Sequence, residues 1–109
     1  MTVVRTQIGV TLTSAFIGQP GVTPGAVLAA AADSGVDFVQ IGDHVSFHDG
    51  TGFDGLIHAG VALAGQEQVP VRVGLYLRAL RHPVLVARQL TDLSRLFPGR
   101  LTLGVGVGG

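Results

Sequence analysis

The sequence has no cysteine, which rules out a disulfide framework, a thiol nucleophile and a thiolate metal site, and suits a reducing compartment. It has no lysine either. Charge is scarce: 13% of the residues are charged, where a soluble domain carries about 25%. The seven basic and seven acidic side chains cancel and no stretch collects one sign, so there is no electrostatic footprint for nucleic acid or an anionic membrane. Long apolar runs are missing too. The most apolar segment, residues 25–32, is far shorter than the roughly 20 residues needed to span a bilayer. Residues 1–9 alternate short apolar and polar side chains and lack a signal-peptide core, so a cytoplasmic location is expected. Neither a G-x-x-x-x-G-K-[ST] phosphate loop nor a G-x-S-x-G nucleophile elbow occurs, which leaves ATPase and esterase readings without support.

What the sequence does have is glycine and aliphatic residues: 17 glycines, with 47% of the chain hydrophobic. Together they exceed the apolar share of a self-contained domain, about 45 to 50%. Some of that surface requires a partner. Four apolar runs, at residues 8–12, 38–41, 71–77 and 101–107, start roughly thirty residues apart, which is the period of repeated βα units. Between them lie three segments of helical periodicity. Thr23-Pro24 caps and opens the first, Gly35 stops it, and Val27, Leu28, Ala31 and Ala32 share one side. In the second, Leu56, Ala59, Gly60 and Leu63 follow the amphipathic template behind Asp54. His82-Pro83 opens the third, in which Val86, Leu90, Leu93 and Phe97 form an apolar stripe opposite Arg88, Asp92 and Arg95.

Strands alternating with such helices predict a parallel α/β sheet, either half of a (β/α)8 barrel or part of an open doubly wound sheet. At 109 residues the chain is too short for a whole barrel of about 250. In both arrangements the loops after the strands, residues 13–22, 43–53, 78–81 and the terminal glycines, gather on one rim, where chemistry belongs.

Strand alternation places Leu101, Leu103, Val105 and Val107 on one face of the last strand, leaving Thr102, Gly104, Gly106 and Gly108 on the other. In the third strand it places Val71, Val73, Leu75 and Leu77 opposite Gly74 and Tyr76, and the second ends in Gly42. Glycines inside strands mark close approach by a ligand or another backbone. Grouped near one rim, they leave space for a flat ring, or allow barrel packing alone. The terminal glycines also fit G-x-G-x-x-G, but no helix follows to hold a pyrophosphate and the run comes after three βα units, against a Rossmann reading. Asp43-His44 follows the second strand, where an imidazole could move a proton or simply sit in a loop. His48 and Asp49 suggest a metal, yet Gly50 and Gly52 oppose the helix that a His-x-x-x-His pair needs; none is assigned. His58 and His82 read as helix residues. Arg78 and Arg81 offer guanidinium groups to a phosphate or carboxylate, or to solvent.

Ile41-Gly42-Asp43-His44, the stretch Gly74 to Pro83 with Leu77-Arg78-Ala79-Leu80-Arg81-His82-Pro83, Val86-Ala87-Arg88-Gln89-Leu90, and Pro98 to Gly106 occur in an order that resembles the luciferase-like monooxygenase superfamily, in the branch using coenzyme F420 or FMN. The resemblance implies that residues 1–109 are the N-terminal half of one (β/α)8 barrel domain. It implies a flavin or deazaflavin ring on the C-terminal rim, two-electron hydride transfer to a small-molecule substrate, and a homodimeric full-length form. Asp43 and His44 carry over as catalytic residues beside the ring. The resemblance also implies a non-prolyl cis peptide joining Tyr76 to Leu77 behind the ring, so that with the strand glycines Gly42, Gly74, Gly104, Gly106 and Gly108 the expected cofactor-binding set includes Tyr76 and Leu77. Sugar-phosphate dehydrogenases of the branch have a glutamate after the last glycine run, where this chain has Gly109. Two rival readings are a truncated or cofactor-free relative acting as a binding or assembly module, and a phosphate-handling barrel lyase or isomerase. The absence of lysine weakens the second.

Overall fold

A computed structural model describes residues 3–13, 19–46 and 52–107. Strands β1 (Gly9–Leu12), β2 (Phe38–Ile41), β3 (Val71–Leu77) and β4 (Leu101–Gly106) alternate with helices α1 (Pro24–Asp33), α2 (Gly55–Gly65) and α3 (Pro83–Leu96), and a single 3-10 turn at Arg78–Leu80 follows β3. All neighbouring strands are parallel, in the order β1-β2-β3-β4. Strictly sequential order with parallel pairing is the arrangement of successive βα units in a barrel, and it excludes the strand-order reversal of a doubly wound sheet.

Local sequence explains where each helix starts. Thr23 accepts a hydrogen bond from the Ala26 amide at 3.2 Å ahead of Pro24. Asp54 accepts from the Leu56 and Ile57 amides at 3.0 Å. The His82 Nδ1 accepts from the Val84 amide at 3.2 Å. Each cap satisfies amides that a helix leaves without an internal partner. Gly35 and Gly99 follow α1 and α3 with φ of 82° and 70°, a region L side chains rarely adopt.

One core forms between the sheet and its helices. Val39, Ile41, Val71, Val73 and Tyr76 of the strands, Leu28 and Ala31 of α1, Leu56, Ala59, Ala62 and Leu63 of α2, and Val86 of α3 are buried in it. Burying an aliphatic side chain of this size stabilises by roughly 1.5–3 kcal/mol. The turns at the opposite end from the rim are held by two side chains. The Gln66 Nε2 donates to the Ala62 and Val69 carbonyls while its Oε1 accepts from the Gln68 and Val69 amides, and Arg100 donates to the Leu63, Gln66 and Val69 carbonyls.

Among the described residues, no helix covers the other face of the sheet. At its lower end the Arg72 guanidinium lies 3.7 Å over the Phe38 ring and donates to Gln7 at 2.6 Å. The Phe38 ring rests on Gly9, where any Cβ would collide with it. That end is therefore filled, and the upper end is where the strands run out.

Candidate active site at the C-terminal rim

β3 departs from simple alternation. Its register with β4 runs Val73↔Leu103 and then Tyr76↔Val105, so β3 holds one extra residue, and the peptide between Gly74 and Leu75 is cis. An extra residue reverses which side chains face which way beyond it. Tyr76 consequently joins Val71 and Val73 in the core, while Leu75 projects on the open face and is 56% exposed. The expectation that Leu75 shares a face with Val71 while Tyr76 lies opposite is corrected by this bulge. The cis bond is likewise at Gly74-Leu75, two residues before the junction expected at Tyr76-Leu77.

Leu75 lies across the glycine face of β4. A Cβ at Gly104 would stand 3.0 Å from Leu75 Cδ2, and one at Gly106 would stand 2.8 Å from Leu75 Cδ1. The two glycines thus accommodate a leucine, and the exposed side of that leucine is apolar surface on the open face. Beneath it, a Cβ at Gly74 would meet the Gln40 amide group at 3.3 to 3.6 Å. Gln40 alternates with the fully buried Val39 and Ile41, so it belongs to the open face, and Gly74 with it.

His44 leaves β2 on that same face. Its exposed imidazole returns over Gly42, whose missing Cβ would lie 3.8 Å from Nε2. Its amide donates to the Phe53 carbonyl at 3.0 Å, closing the neck of the loop that follows β2. Gly52 permits this approach: a Cβ there would sit 2.8 Å from His44 Cδ2, and its φ is 96°.

Asp43, next in sequence, is turned the opposite way. Its side chain is fully buried and bonded on both oxygens. Oδ1 accepts from the Gly55 amide and Arg81 Nη2, both at 2.7 Å, and Oδ2 accepts from the Leu77 amide at 2.8 Å and Arg81 Nη1 at 2.6 Å. Burial alone would raise its pKa, but the Arg81 guanidinium and the Leu77 and Gly55 amides outweigh burial and hold it below the usual carboxylate value. A carboxylate whose acceptor sites are all taken has no room to exchange a proton with a ligand. In this geometry Asp43 anchors the ends of β2 and β3 and the start of α2.

Arg81 is equally committed. Its Nη2 also meets Asp54 Oδ2 at 2.8 Å, Nη1 donates to the Leu77 carbonyl at 3.2 Å, and the guanidinium lies 4.2 Å from the Tyr76 ring centroid. Hydrogen bonding to Asp43 raises its pKa further. Arg81 is not a spare anion receptor, whereas half-buried Arg78 pairs with no acidic group among the described residues. The Tyr76 hydroxyl is buried with no hydrogen-bond partner among the described residues; burial pushes its pKa up, with Arg81 opposing. Its contribution to any ring on the open face is confined to its backbone.

A profile of luciferase-like monooxygenases matches residues 11–109. The chain belongs to the luciferase-like monooxygenase family. Two solved structures share the fold of this luciferase-like chain. One is a type II Baeyer-Villiger monooxygenase, the oxygenating constituent of 3,6-diketocamphane monooxygenase from the CAM plasmid of Pseudomonas putida, in complex with FMN; it aligns with a TM-score of 0.76 and 20% identity over 96% of this chain. The other is an F420-dependent secondary alcohol dehydrogenase in complex with an F420-acetone adduct, with a TM-score of 0.69 and 27% identity over 96% of this chain. The chain spans 30% and 32% of their respective lengths. Comparison with curated proteins gives no match.

Among the residues expected to act in this luciferase-like chain, Gly42, His44, Gly74, Gly104 and Gly106 meet on the open face of the sheet. Tyr76 and Asp43 are buried away from it, and Leu77 supplies an amide to Asp43. Gly108, His48 and Asp49 lie outside the described residues. Leu75 and Gln40 were not anticipated. The glycine inside β3 was the available signal, since strand glycines often mark bulges. His58 is buried in α2 with its ring 5.1 Å from that of Phe53, and His82 caps α3; both are structural. Among the described residues, no three acidic, histidine or cysteine side chains cluster as metal ligands, and no helix is long and apolar enough to cross a membrane.

Proposed function

We propose that this chain carries the ring-binding rim of a flavin- or deazaflavin-dependent oxidoreductase acting on a small molecule, with FMN or F420 as cofactor. The observation that carries the proposal is the apolar, exposed Leu75 laid over Gly104 and Gly106, on the same open face that receives the His44 imidazole over Gly42. A planar ring requires a flat apolar support on one side and a polar group at its edge, and these residues fit both needs. When bound, such a cofactor supplies two-electron hydride chemistry that no side chain provides.

In this reading Leu75 supports the ring, and the glycines beneath keep that support level with the strands. His44 holds or releases a proton at its imidazole beside the reacting atoms. Asp43 keeps His44 at the rim and does not titrate in turnover. The FMN and F420 complexes of the two structural neighbours support the cofactor class. Completion of the barrel by four further βα units, a homodimeric assembly and a cytosolic setting belong to the same proposal.

The test is a titration of the intact protein with FMN and with F420, read from visible absorbance and fluorescence. Saturable binding of one of them is expected; binding of neither overturns the reading. His44→Ala should lower turnover by about 10²- to 10⁴-fold, the usual contribution of a positioned acid or base. Unchanged turnover removes His44 from the chemistry.

A further inference from the structure

Asp43 and Arg81 are distant in sequence, yet their bonds converge on the two residues that the rim presents. Asp43 directly precedes His44. Its carboxylate takes the amide of Leu77, two residues beyond Leu75, and the amide of Gly55, the first residue of α2. One side chain thus ties the exit of β2, the exit of the β3 bulge and the start of α2. Arg81 closes the tie from the far side with a two-pronged pair at 2.6 and 2.7 Å, and extends it to Asp54, the cap of α2, at 2.8 Å. The pocket around Asp43 is tight: a Cβ at Gly55 would stand 2.9 Å from Asp43 Cβ and 3.0 Å from Val73 Cγ1. A planar guanidinium matches a carboxylate at two points, which an ammonium group does not.

We propose that Arg81 is a positioning residue, which acts through Asp43 to fix where His44 and Leu75 stand on the rim, and that it binds no ligand anion. The proposal rests on the ring-binding reading for its functional consequence, whereas its structural half stands by itself. An incoming phosphate would have to displace two carboxylates from a side chain that is 15% exposed. By contrast, displacing the rim by a fraction of an ångström changes the geometry that ring binding and proton movement depend on.

Arg81→Lys keeps the charge and loses the fork, so it is the informative variant. In NMR of the cofactor-free protein, the His44 ring signals should move in Arg81→Lys while the amides of Leu28 and Ala31, buried in α1 away from the tie, stay in place. In the same variant the affinity for whichever of FMN or F420 the wild type binds should fall about tenfold, and inorganic phosphate should not perturb the Arg81 Nε signal of the wild type. A folded Arg81→Lys protein with an unmoved His44 signal, or a phosphate-induced shift at Arg81, overturns the proposal. So does a shift of His44 together with the Leu28 and Ala31 amides, the mark of a general structural role. If Arg81→Lys does not fold, amide exchange in the wild type decides: Gly55 and Leu77 should be protected as strongly as Val39 and Val73, and rapid exchange at either refutes the tie. Failure of the wild type to bind either cofactor counts against the ring-binding reading alone, because the NMR and exchange experiments need no cofactor.

Discussion

On the helix-covered face of the sheet Val39, Ile41, Val71, Val73 and Tyr76 are at least 99% buried, whereas on the open face Gln40, Arg72 and Gly74 are half-buried and Leu75 is exposed. The same strands supply both sets. Where helices pack, every position is aliphatic or aromatic and its volume is fixed by close packing. On the open face the lower end is filled by Arg72 stacked on Phe38, and the upper end is built from glycine with one leucine laid across it. The difference separates what stabilises this chain from what it offers to a ligand: the covered face tolerates little change in volume, and the upper open face is shaped by the absence of volume.

The contrast is most directly broken by truncating one residue on each face. Ile41→Ala should lower unfolding free energy by about 2–5 kcal/mol, as lost burial and a residual cavity combine. Gln40→Ala, its sequence neighbour, should change stability by about 0.5 kcal/mol or less; equal losses in denaturant titrations would abolish the distinction between the faces. Leu75→Ala should reduce ring affinity about tenfold through lost apolar contact while leaving the unfolding midpoint nearly unchanged. A large fall in the midpoint without a change in affinity would reassign Leu75 to the core.

Two smaller effects sharpen the covered face. Tyr76→Phe removes a buried hydroxyl that has no partner among the described residues, so it should raise stability by up to about 1 kcal/mol. A loss instead would reveal a hydrogen bond to that oxygen. Burial holds the His58 pKa below its usual 6.5, which means the folded chain binds fewer protons there than the unfolded one. Stability should therefore decline as pH falls below about 6.5, and His58→Phe should flatten that part of the pH-stability curve. Asp43 has the pattern of a depressed carboxylate, so its contribution is present above about pH 4 and is lost as pH falls through its folded pKa. The two windows are separable in one series of melts.

Much of the fold was legible in the residues themselves. The strand runs at 38–41 and 71–77 coincide with β2 and β3, and Thr23, Asp54 and His82 cap the helices they were expected to open. These are local events, decided by periodicity and by amides that need acceptors within a few residues. The rim was legible only in part. His44 and the strand glycines stand out in the sequence, but strict alternation, the guide to strand faces, does not survive the extra residue in β3. Beyond the bulge Leu75 faces the side where alternation puts Tyr76. The pairing of Asp43 with Arg81 was not legible at all, because each is the other's partner across 38 residues.

The amino-acid order by itself determined the parallel α/β class, the element boundaries and the set of glycines that thin one face, because propensity, capping and alternation act over a few residues. Only the tertiary structure decided that Leu75 covers Gly104 and Gly106, that Asp43 anchors the rim and that Arg81 is already paired. Those outcomes depend on strand register and on which distant groups meet in low-dielectric surroundings, where a carboxylate and a guanidinium must satisfy each other or go unbonded.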